Sequence, residues 1–219
     1  MKIVVIGAGG HAKVIIDILE QAGKFQLLGL LDSQLPVGTR VLDYEVLGND
    51  RDLPRLMEQA QVAGAVVAIG DNFLRGKIVA ELRQLVPVLA FPPAIHPAAT
   101  IARSAVIDAG TVVMAGAVVN SNTTVGEFCI LNTNCSVDHD CMLGNYASLA
   151  PGSCVGGTVQ IGEMSAICLG AKVIQRVKIG AHTVVGAGAT VLSDLPANVV
   201  AYGTPARVIR GRMAGERYM

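Results

Sequence analysis

The chain has 219 residues, of which 52% are hydrophobic and 4% aromatic, and its 17 basic residues balance 17 acidic ones. Because no block of one charge stands out, the composition argues against nucleic acid and anionic membrane surfaces as partners. No apolar run reaches the roughly 18 residues of a membrane span, and the apolar start is too short for a signal peptide. We therefore expect a cytoplasmic protein whose five cysteines are reduced, small apolar residues.

Residues 1–94 alternate between predicted strands and predicted helices. We predict strands at 2–6, 27–31, 65–69 and 88–91, and helices at 12–22, 50–60 and 72–85. Asn49 is the expected N-cap of the second helix, and Pro92-Pro93 ends the segment. Such alternation is typical of a small parallel sheet, so we expect a Rossmann-like α/β domain here.

A glycine-rich turn joins the first strand to the first helix. The run Gly7-Ala8-Gly9-Gly10-His11-Ala12 satisfies the pattern G-x-G-x-x-A, and Asp32 follows the second strand. The domain is too short for a second mononucleotide-binding half, so we expect a nucleotide or nucleotide-sugar here instead of NAD. Two other interpretations stay open: a tight turn that binds no ligand, and an Asp32 that caps a loop instead of holding a ribose hydroxyl.

A hexapeptide repeat begins at Ile95 and continues to Pro196 without a gap. It comprises 17 hexads, with Ile, Val or Leu at the first position of every one and a small residue at the fifth position of 16. A period of six fits short strands separated by corners, with three hexads in each triangular coil. We therefore predict a parallel β-helix in a second domain, residues 95–219. Cys129, Cys135 and Cys141 occupy fifth positions, so we expect small interior residues that neither pair nor bind a metal.

One histidine lies between two carboxylates on this scaffold, in the run Val137-Asp138-His139-Asp140-Cys141. An imidazole has an ordinary pKa of about 6.5, so it is largely neutral at pH 7, and a neighbouring carboxylate fixes its tautomer. His139 is thus a candidate general base. The alternative is a solvated His-Asp pair on the surface.

Several motifs together resemble one family over nearly the whole chain. They are GAGGHAKV at 7–14, AIGDNFLR at 68–75, IHP at 95–97, LNTNCSVDHDC at 131–141 and YGTPAR at 202–207. In these motifs the chain is similar to the hexapeptide-repeat sugar O-/N-acyltransferases, which include sialic acid O-acetyltransferases and nucleotide-4-amino-sugar N-acetyltransferases of the bacillosamine or perosamine type. The resemblance implies that the β-helix is left-handed.

The resemblance also implies roles for individual residues. The protein is expected to be a homotrimer with active sites between neighbouring β-helices, where His139 is the general base and Asp140 orients it. Acetyl-CoA is the expected cosubstrate, along the backbone around Gly152, Gly170, Ala171 and Gly188, and no metal is expected. The nucleotide-sugar is expected to contact Gly7, Gly9, Gly10, His11, Asp32, Gly70, Asp71 and Asn72, while Asn132 helps to position it.

The expected reaction is direct transfer of an acetyl group to the 4-amino group of a nucleotide-linked 4-amino-4,6-dideoxy sugar. An O-acetyltransferase acting on a sugar such as sialic acid would use the same base and is the first alternative. An NAD-dependent enzyme and a non-catalytic solenoid scaffold are the other two. For residues 208–219 we expect a short helix or a loose tail.

Overall fold

The computed structural model describes residues 1–218. The N-terminal domain holds a five-stranded sheet in the order β3-β4-β2-β1-β5, parallel except for the β3–β4 hairpin. Its strands are β1 (Lys2–Ile6), β2 (Gln26–Leu31), β3 (Arg40–Val41), β4 (Tyr44–Gly48) and β5 (Val62–Val67). Its helices are α1 (Gly10–Ala22), α2 (Leu53–Ala60) and α3 (Asn72–Leu85), with a 3-10 turn at Asp50–Asp52.

Local signals in the sequence account for the ends of these helices. The side chain of Asn49 accepts from the backbone of Arg51, and the Asp52 carboxylate accepts from the backbone of Asn49, which confirms the predicted cap. Gly23 ends α1 in the left-handed conformation, with φ of 61°. Asp71 caps α3, whose bounds are those predicted.

Two details of the predicted sheet are wrong. Residues 88–91 form no strand, because only Ala90 pairs with the sheet, through a single bridge to Gly64, and Val88 is 81% exposed. The hairpin of β3 and β4 was not predicted, since β3 is two residues long and carries no periodic pattern.

The second domain is the predicted left-handed β-helix, with three walls of short parallel strands. The first wall holds β6 (Ala94–Ile95), β9 (Val112–Val113), β12 (Ile130–Leu131), β15 (Ser148–Leu149), β18 (Ala166–Ile167), β21 (Val184–Val185), β23 (Val199–Gly203) and β24 (Ala206–Gly211). The second wall holds β7 (Thr100–Ile101), β10 (Val118–Val119), β13 (Ser136–Val137), β16 (Cys154–Val155), β19 (Lys172–Val173) and β22 (Thr190–Val191). The third wall holds β8 (Val106–Ile107), β11 (Thr124–Val125), β14 (Met142–Leu143), β17 (Gln160–Ile161) and β20 (Lys178–Ile179).

Each strand pairs with the strand 18 residues later, as Val137 does with Val155, so every corner residue stacks on its equivalent in the next coil. We call the turn from the first wall to the second the first corner, that from the second to the third the second corner, and that from the third back to the first the third corner. The interior holds aliphatic first-position residues and small fifth-position ones. Cys129, Cys135 and Cys141 are fully buried there, as predicted.

Residues 208–218 form neither the short helix nor the loose tail expected for 208–219; residue 219 lies outside the described residues. β24 runs antiparallel to β23 and extends the first wall. Beyond it, Arg212 is buried and donates to the carbonyl oxygen of His182, which holds the following residues against the protein.

The N-terminal domain packs on the first wall and on the third corner. Apolar side chains of α1 share a cluster with Val112, Met114 and Ile130 of the β-helix. At the third corner, the ring of Phe128 stacks on Tyr146 at 5.5 Å and meets Phe91 edge-on at 5.1 Å. This packing places the glycine turn beside the first wall.

Candidate functional site

The glycine turn leaves backbone donors free at the start of α1. Gly7 has φ of +97°, and a Cβ there would lie 3.1 Å from the carbonyl oxygen of Ala68, so this position requires glycine. Around Gly9 and Gly10 there is open space. Among the described residues, the N–H groups of Gly10 and His11 have no acceptor. Free N–H groups at a helix N-terminus favour an anion such as a phosphate.

The carboxylate of Asp32 is occupied by backbone donors. Its Oδ2 accepts from the N–H of Ala8 at 2.8 Å, and its Oδ1 accepts from the N–H groups of Gln34 and Leu35. Asp32 thus fixes the glycine turn to the loop after β2. These contacts favour the loop-capping interpretation, and a contact with a ribose stays a prediction.

His11 borders a cleft of about 630 Å³ between the two domains. Its Nε2 is buried without a hydrogen-bond partner in the described part of the chain. Burial, and secondly the positive charge of Arg75, lower the pKa of His11 to about 4. The imidazole is therefore neutral at pH 7.

Three of the predicted substrate residues meet in this cleft. Gly70 and His11 form one side, and the first wall together with Asn132 of the first corner forms the other. Two further residues of the lining, Arg210 and Tyr218, were missed by the sequence analysis. They belong to a C-terminal segment without a repeat or motif, so only the contact itself identifies them.

Asp71 and Asn72 do not line the cleft. Asp71 accepts from the N–H of Leu74 as the cap of α3. Asn72 is 1% exposed, and its amide donates to the carbonyl oxygen of Ser165 at 3.1 Å while its Oδ1 accepts from Arg75. Asn72 thus docks α3 on the β-helix, and a substrate contact for Asp71 or Asn72 stays a prediction.

A fully buried arginine, also missed, completes this docking. The guanidinium of Arg75 donates to the carbonyl oxygens of Phe128 and Tyr146 on the third corner. The same group donates to the carbonyl oxygens of Ile69 and Gly70, at 2.8 and 3.0 Å. Arg75 thus ties the loop that borders the cleft to the β-helix, and no carboxylate is among its bonded partners in residues 1–218.

His139 and Asp140 lie at the second corner. Nδ1 of His139 is 2.7 Å from Oδ2 of Asp140, and the side chains are 56% and 51% exposed. The hydrogen bond to Asp140, followed by the charge of Asp138, raises the pKa of His139. The same bond, with a second from Asn122, lowers the pKa of Asp140, which therefore stays a carboxylate. This arrangement leaves Nε2 of His139 as the basic atom.

The predicted cofactor glycines line another edge of the β-helix. Gly152, Gly170 and Gly188 stack at the first corner, with φ of 66°, 62° and 67° and open space where a Cβ would lie. Ala171 differs, because its side chain is fully buried inside the coil and its N–H and C=O groups are bonded within the β-helix. Ala171 thus offers no free group to a cofactor, whereas the glycine corner offers an accessible edge.

The base and the cleft are not brought together within one chain. His139 lies at the second corner, whereas the cleft opens on the first wall and does not include it. No residue of the second corner borders the cleft.

Burial raises the pKa of the Cys129 and Cys135 thiols to about 12. Residues 1–218 contain no group of three His, Cys, Asp or Glu side chains placed to hold a metal ion. None of the helices there is long and apolar enough to cross a membrane.

Comparisons with known proteins agree with both domains. Residues 2–82 match the PglD N-terminal domain family. Over 114 residues, 52% of this chain and 51% of the relative, the sequence is 32% identical to UDP-N-acetylbacillosamine N-acetyltransferase from Bacillus subtilis (strain 168). The match thus spans about half the length of that curated relative.

Solved structures match over nearly the whole length. A histidine-to-asparagine mutant of perosamine N-acetyltransferase from Caulobacter crescentus, in complex with CoA and GDP-perosamine, is 41% identical with a TM-score of 0.89, covering 95% of this chain and 96% of that one. The acetyltransferase domain of PglB from Neisseria gonorrhoeae, in complex with acetyl coenzyme A, is 34% identical with a TM-score of 0.88, covering 95% and 98%. The chain therefore belongs to the hexapeptide-repeat sugar O-/N-acyltransferase family of the nucleotide-4-amino-sugar N-acetyltransferase type.

Proposed function

We propose that the protein is an acetyl-CoA-dependent N-acetyltransferase acting on the 4-amino group of a nucleotide-linked 4-amino-4,6-dideoxy sugar of the bacillosamine or perosamine type. The observation that carries the proposal is the exposed His139–Asp140 pair, joined at 2.7 Å on a rigid corner. The relatives bound to CoA with GDP-perosamine, and to acetyl coenzyme A, support the same reaction.

The proposed mechanism is a direct transfer. The sugar amine attacks the thioester carbonyl carbon, and Nε2 of His139 takes the proton that the amine nitrogen loses. Asp140 holds Nδ1–H of the ring and stabilises the imidazolium that forms. A backbone N–H group stabilises the oxyanion. When the tetrahedral intermediate collapses, the C–S bond breaks and the proton passes to the CoA thiolate. The reaction needs neither a covalent acyl-enzyme nor a metal.

The cleft between the domains is the proposed place of the nucleotide-sugar. The free N–H groups of Gly10 and His11 fit a diphosphate, and the neutral imidazole of His11 supplies a further polar contact. Asn132, at the first corner on the facing side of the cleft, is the proposed partner of the sugar. Acetyl-CoA is proposed to run along the first corner, past Gly152, Gly170 and Gly188.

We further propose a homotrimer, in which the second corner of one chain completes the cleft of its neighbour. The separation of His139 from the cleft supports this assembly. Apolar side chains on the β-helix surface also support it, since Ile174, Leu192 and Leu169 are 42%, 50% and 60% exposed. Location in the cytoplasm stays a prediction from composition.

The test of the reaction is release of CoA from acetyl-CoA with UDP-, GDP- and dTDP-linked 4-amino-4,6-dideoxy sugars, and with sialic acid. Turnover with one amino sugar, lost by about 10²- to 10⁴-fold in His139→Ala, is the expected result. Turnover with sialic acid alone would instead favour the O-acetyltransferase. No turnover with any of them would contradict both activities.

The test of the shared site is co-expression of two defective chains. His139→Ala removes the base, and Ala150→Trp fills the cleft. Each variant alone is expected to be inactive, whereas mixed trimers regain activity because one interface carries both intact halves. Mixed trimers without activity would place the whole site in a single chain.

A further inference from the structure

Gly157 lies directly beneath the imidazole of His139. It is the equivalent of His139 in the following coil, since Val137 pairs with Val155 and the N–H of Thr158 donates to the carbonyl oxygen of His139. A Cβ at this glycine would be 2.7 Å from Nε2 of His139, 2.8 Å from Cε1 and 3.2 Å from Cδ2. The ring thus occupies the space that any side chain at 157 would need.

The backbone does not require glycine at this position. Gly157 does not have a positive φ. At this corner the positive φ belongs to the residue that follows, as it does in Asp140 and Thr158. Strand register makes Arg103, Ser121 and Gln175 the equivalents of Gly157 in other coils, and all three carry side chains. In the second corner, glycine occupies this position only in the coil that follows His139.

We propose that Gly157 is a positioning residue for acetyl transfer, whose missing side chain lets the His139 imidazole lie across the coil with Nδ1 on Asp140 and Nε2 accessible to the amine. The role rests on the proposed function, because it concerns the base of that reaction. The three atoms nearest to a Cβ at Gly157 all belong to the His139 ring, which is the far end of an exposed side chain. A methyl group would therefore displace the imidazole and leave the coil in place.

The first test is the titration of the His139 imidazole by NMR in wild type, Gly157→Ala and Asp140→Asn, with the resonance assigned by His139→Ala. The charged groups that face the ring are Asp138 and Asp140. If the methyl breaks the contact with Asp140, the pKa in Gly157→Ala falls toward that in Asp140→Asn. An unchanged titration would overturn the proposal. This readout needs no turnover, so it stays decisive even if the proposed reaction is wrong.

The second test uses turnover with the amino sugar that wild type accepts. Gly157→Ala is expected to lower kcat by about 10²-fold, the effect of displacing a catalytic group by about 1 Å, with the KM for acetyl-CoA nearly unchanged. Combined with His139→Ala, the glycine change is expected to have no further effect. Equal losses in both backgrounds would contradict a role through His139.

The matched control is Arg103→Ala, at the equivalent position two coils before His139, which is expected to keep the wild-type kcat. Folding is followed by thermal melting. A Gly157→Ala protein that does not fold would also contradict the proposal, because it would mean that the coil, and not the imidazole, requires the glycine.

Discussion

Nδ1 of His139 lies 2.7 Å from Oδ2 of Asp140, although the two residues are adjacent in the chain. Asp140 takes a left-handed φ of 58° at the second corner, a conformation that aspartate tolerates better than most residues. The N–H of Asp140 donates to the carbonyl oxygen of Ser121 in the coil before, which fixes the corner. The pair is therefore in place before any substrate binds.

The pH dependence of transfer is expected to follow this pair. A general base must be unprotonated, and Asp140 raises the pKa of His139, so the acid limb of kcat/KM is expected at higher pH than an unperturbed imidazole would give. Asp140→Asn removes the carboxylate, so the limb is expected to move to lower pH while kcat falls. Rate profiles from pH 5 to 9 measure both. An acid limb that does not move in Asp140→Asn would show that another group sets it.

The sequence predicted the fold where the pattern is local and repeated. The hexads predict which residues face the interior of the β-helix, and the helix predicted at 72–85 has the bounds of α3. The apolar run from Val88 to Phe91 was misread, because apolarity alone does not show whether a segment reaches the sheet. A two-residue strand such as β3 is too short to show a periodic pattern.

The sequence motifs supplied three residues of the cleft lining, His11, Gly70 and Asn132, but not the contacts between segments that are distant in the chain. His11 and Asn132 were chosen separately and line one cleft. Asn72 belongs to the same motif as Gly70, yet its partner is the carbonyl oxygen of Ser165, 93 residues away. Arg75 and Tyr218 likewise contact residues that are distant in the chain, Phe128 and Ser148. The spacing of residues within a short motif does not predict such contacts.

Arg75 is expected to control the docking of the two domains. Lysine keeps the charge but cannot reach the carbonyl oxygens of Phe128, Tyr146, Ile69 and Gly70 together, so Arg75→Lys leaves buried acceptors without donors. We expect the free energy of unfolding in urea to fall by at least about 3 kcal/mol. The matched control is Arg83→Lys, whose exposed ion pair with Glu127 is worth about 1 kcal/mol or less. Equal losses in the two variants would contradict a special role for Arg75.

The C-terminal segment is expected to contribute to substrate binding. Arg212 is buried and its guanidinium lies 5.2 Å from the Tyr218 ring centroid, while Tyr218 borders the cleft. A chain that ends at Gly211 keeps β24 but loses this side of the cleft. We expect its KM for the nucleotide-sugar to rise about tenfold, or roughly 1.4 kcal/mol, with the melting of the β-helix little changed. Tyr218→Phe keeps the ring and is the conservative control; a truncated chain with wild-type KM would show that the segment takes no part.

His11 is expected to make stability depend on pH in mildly acidic solution. Its pKa is about 4 in the folded protein, against about 6.5 for an exposed imidazole, so the unfolded chain binds more protons between these values. The stability that the neutral ring contributes is complete above pH 6.5 and is lost as pH falls toward 4. Between pH 7 and pH 5 this amounts to about 2 kcal/mol at 1.36 kcal/mol per pKa unit.

Urea unfolding of wild type and His11→Gln at pH 7 and pH 5 measures this contribution. The variant has no imidazole at this site, so its free energy of unfolding is expected to fall less between the two pH values. His139→Gln is the control with the opposite sign, because the pKa of His139 is raised in the folded protein and its contribution is lost as pH rises. The same pH dependence in His11→Gln as in wild type would mean that the His11 ring is hydrated in solution, and would remove the basis for its role as a neutral ligand group.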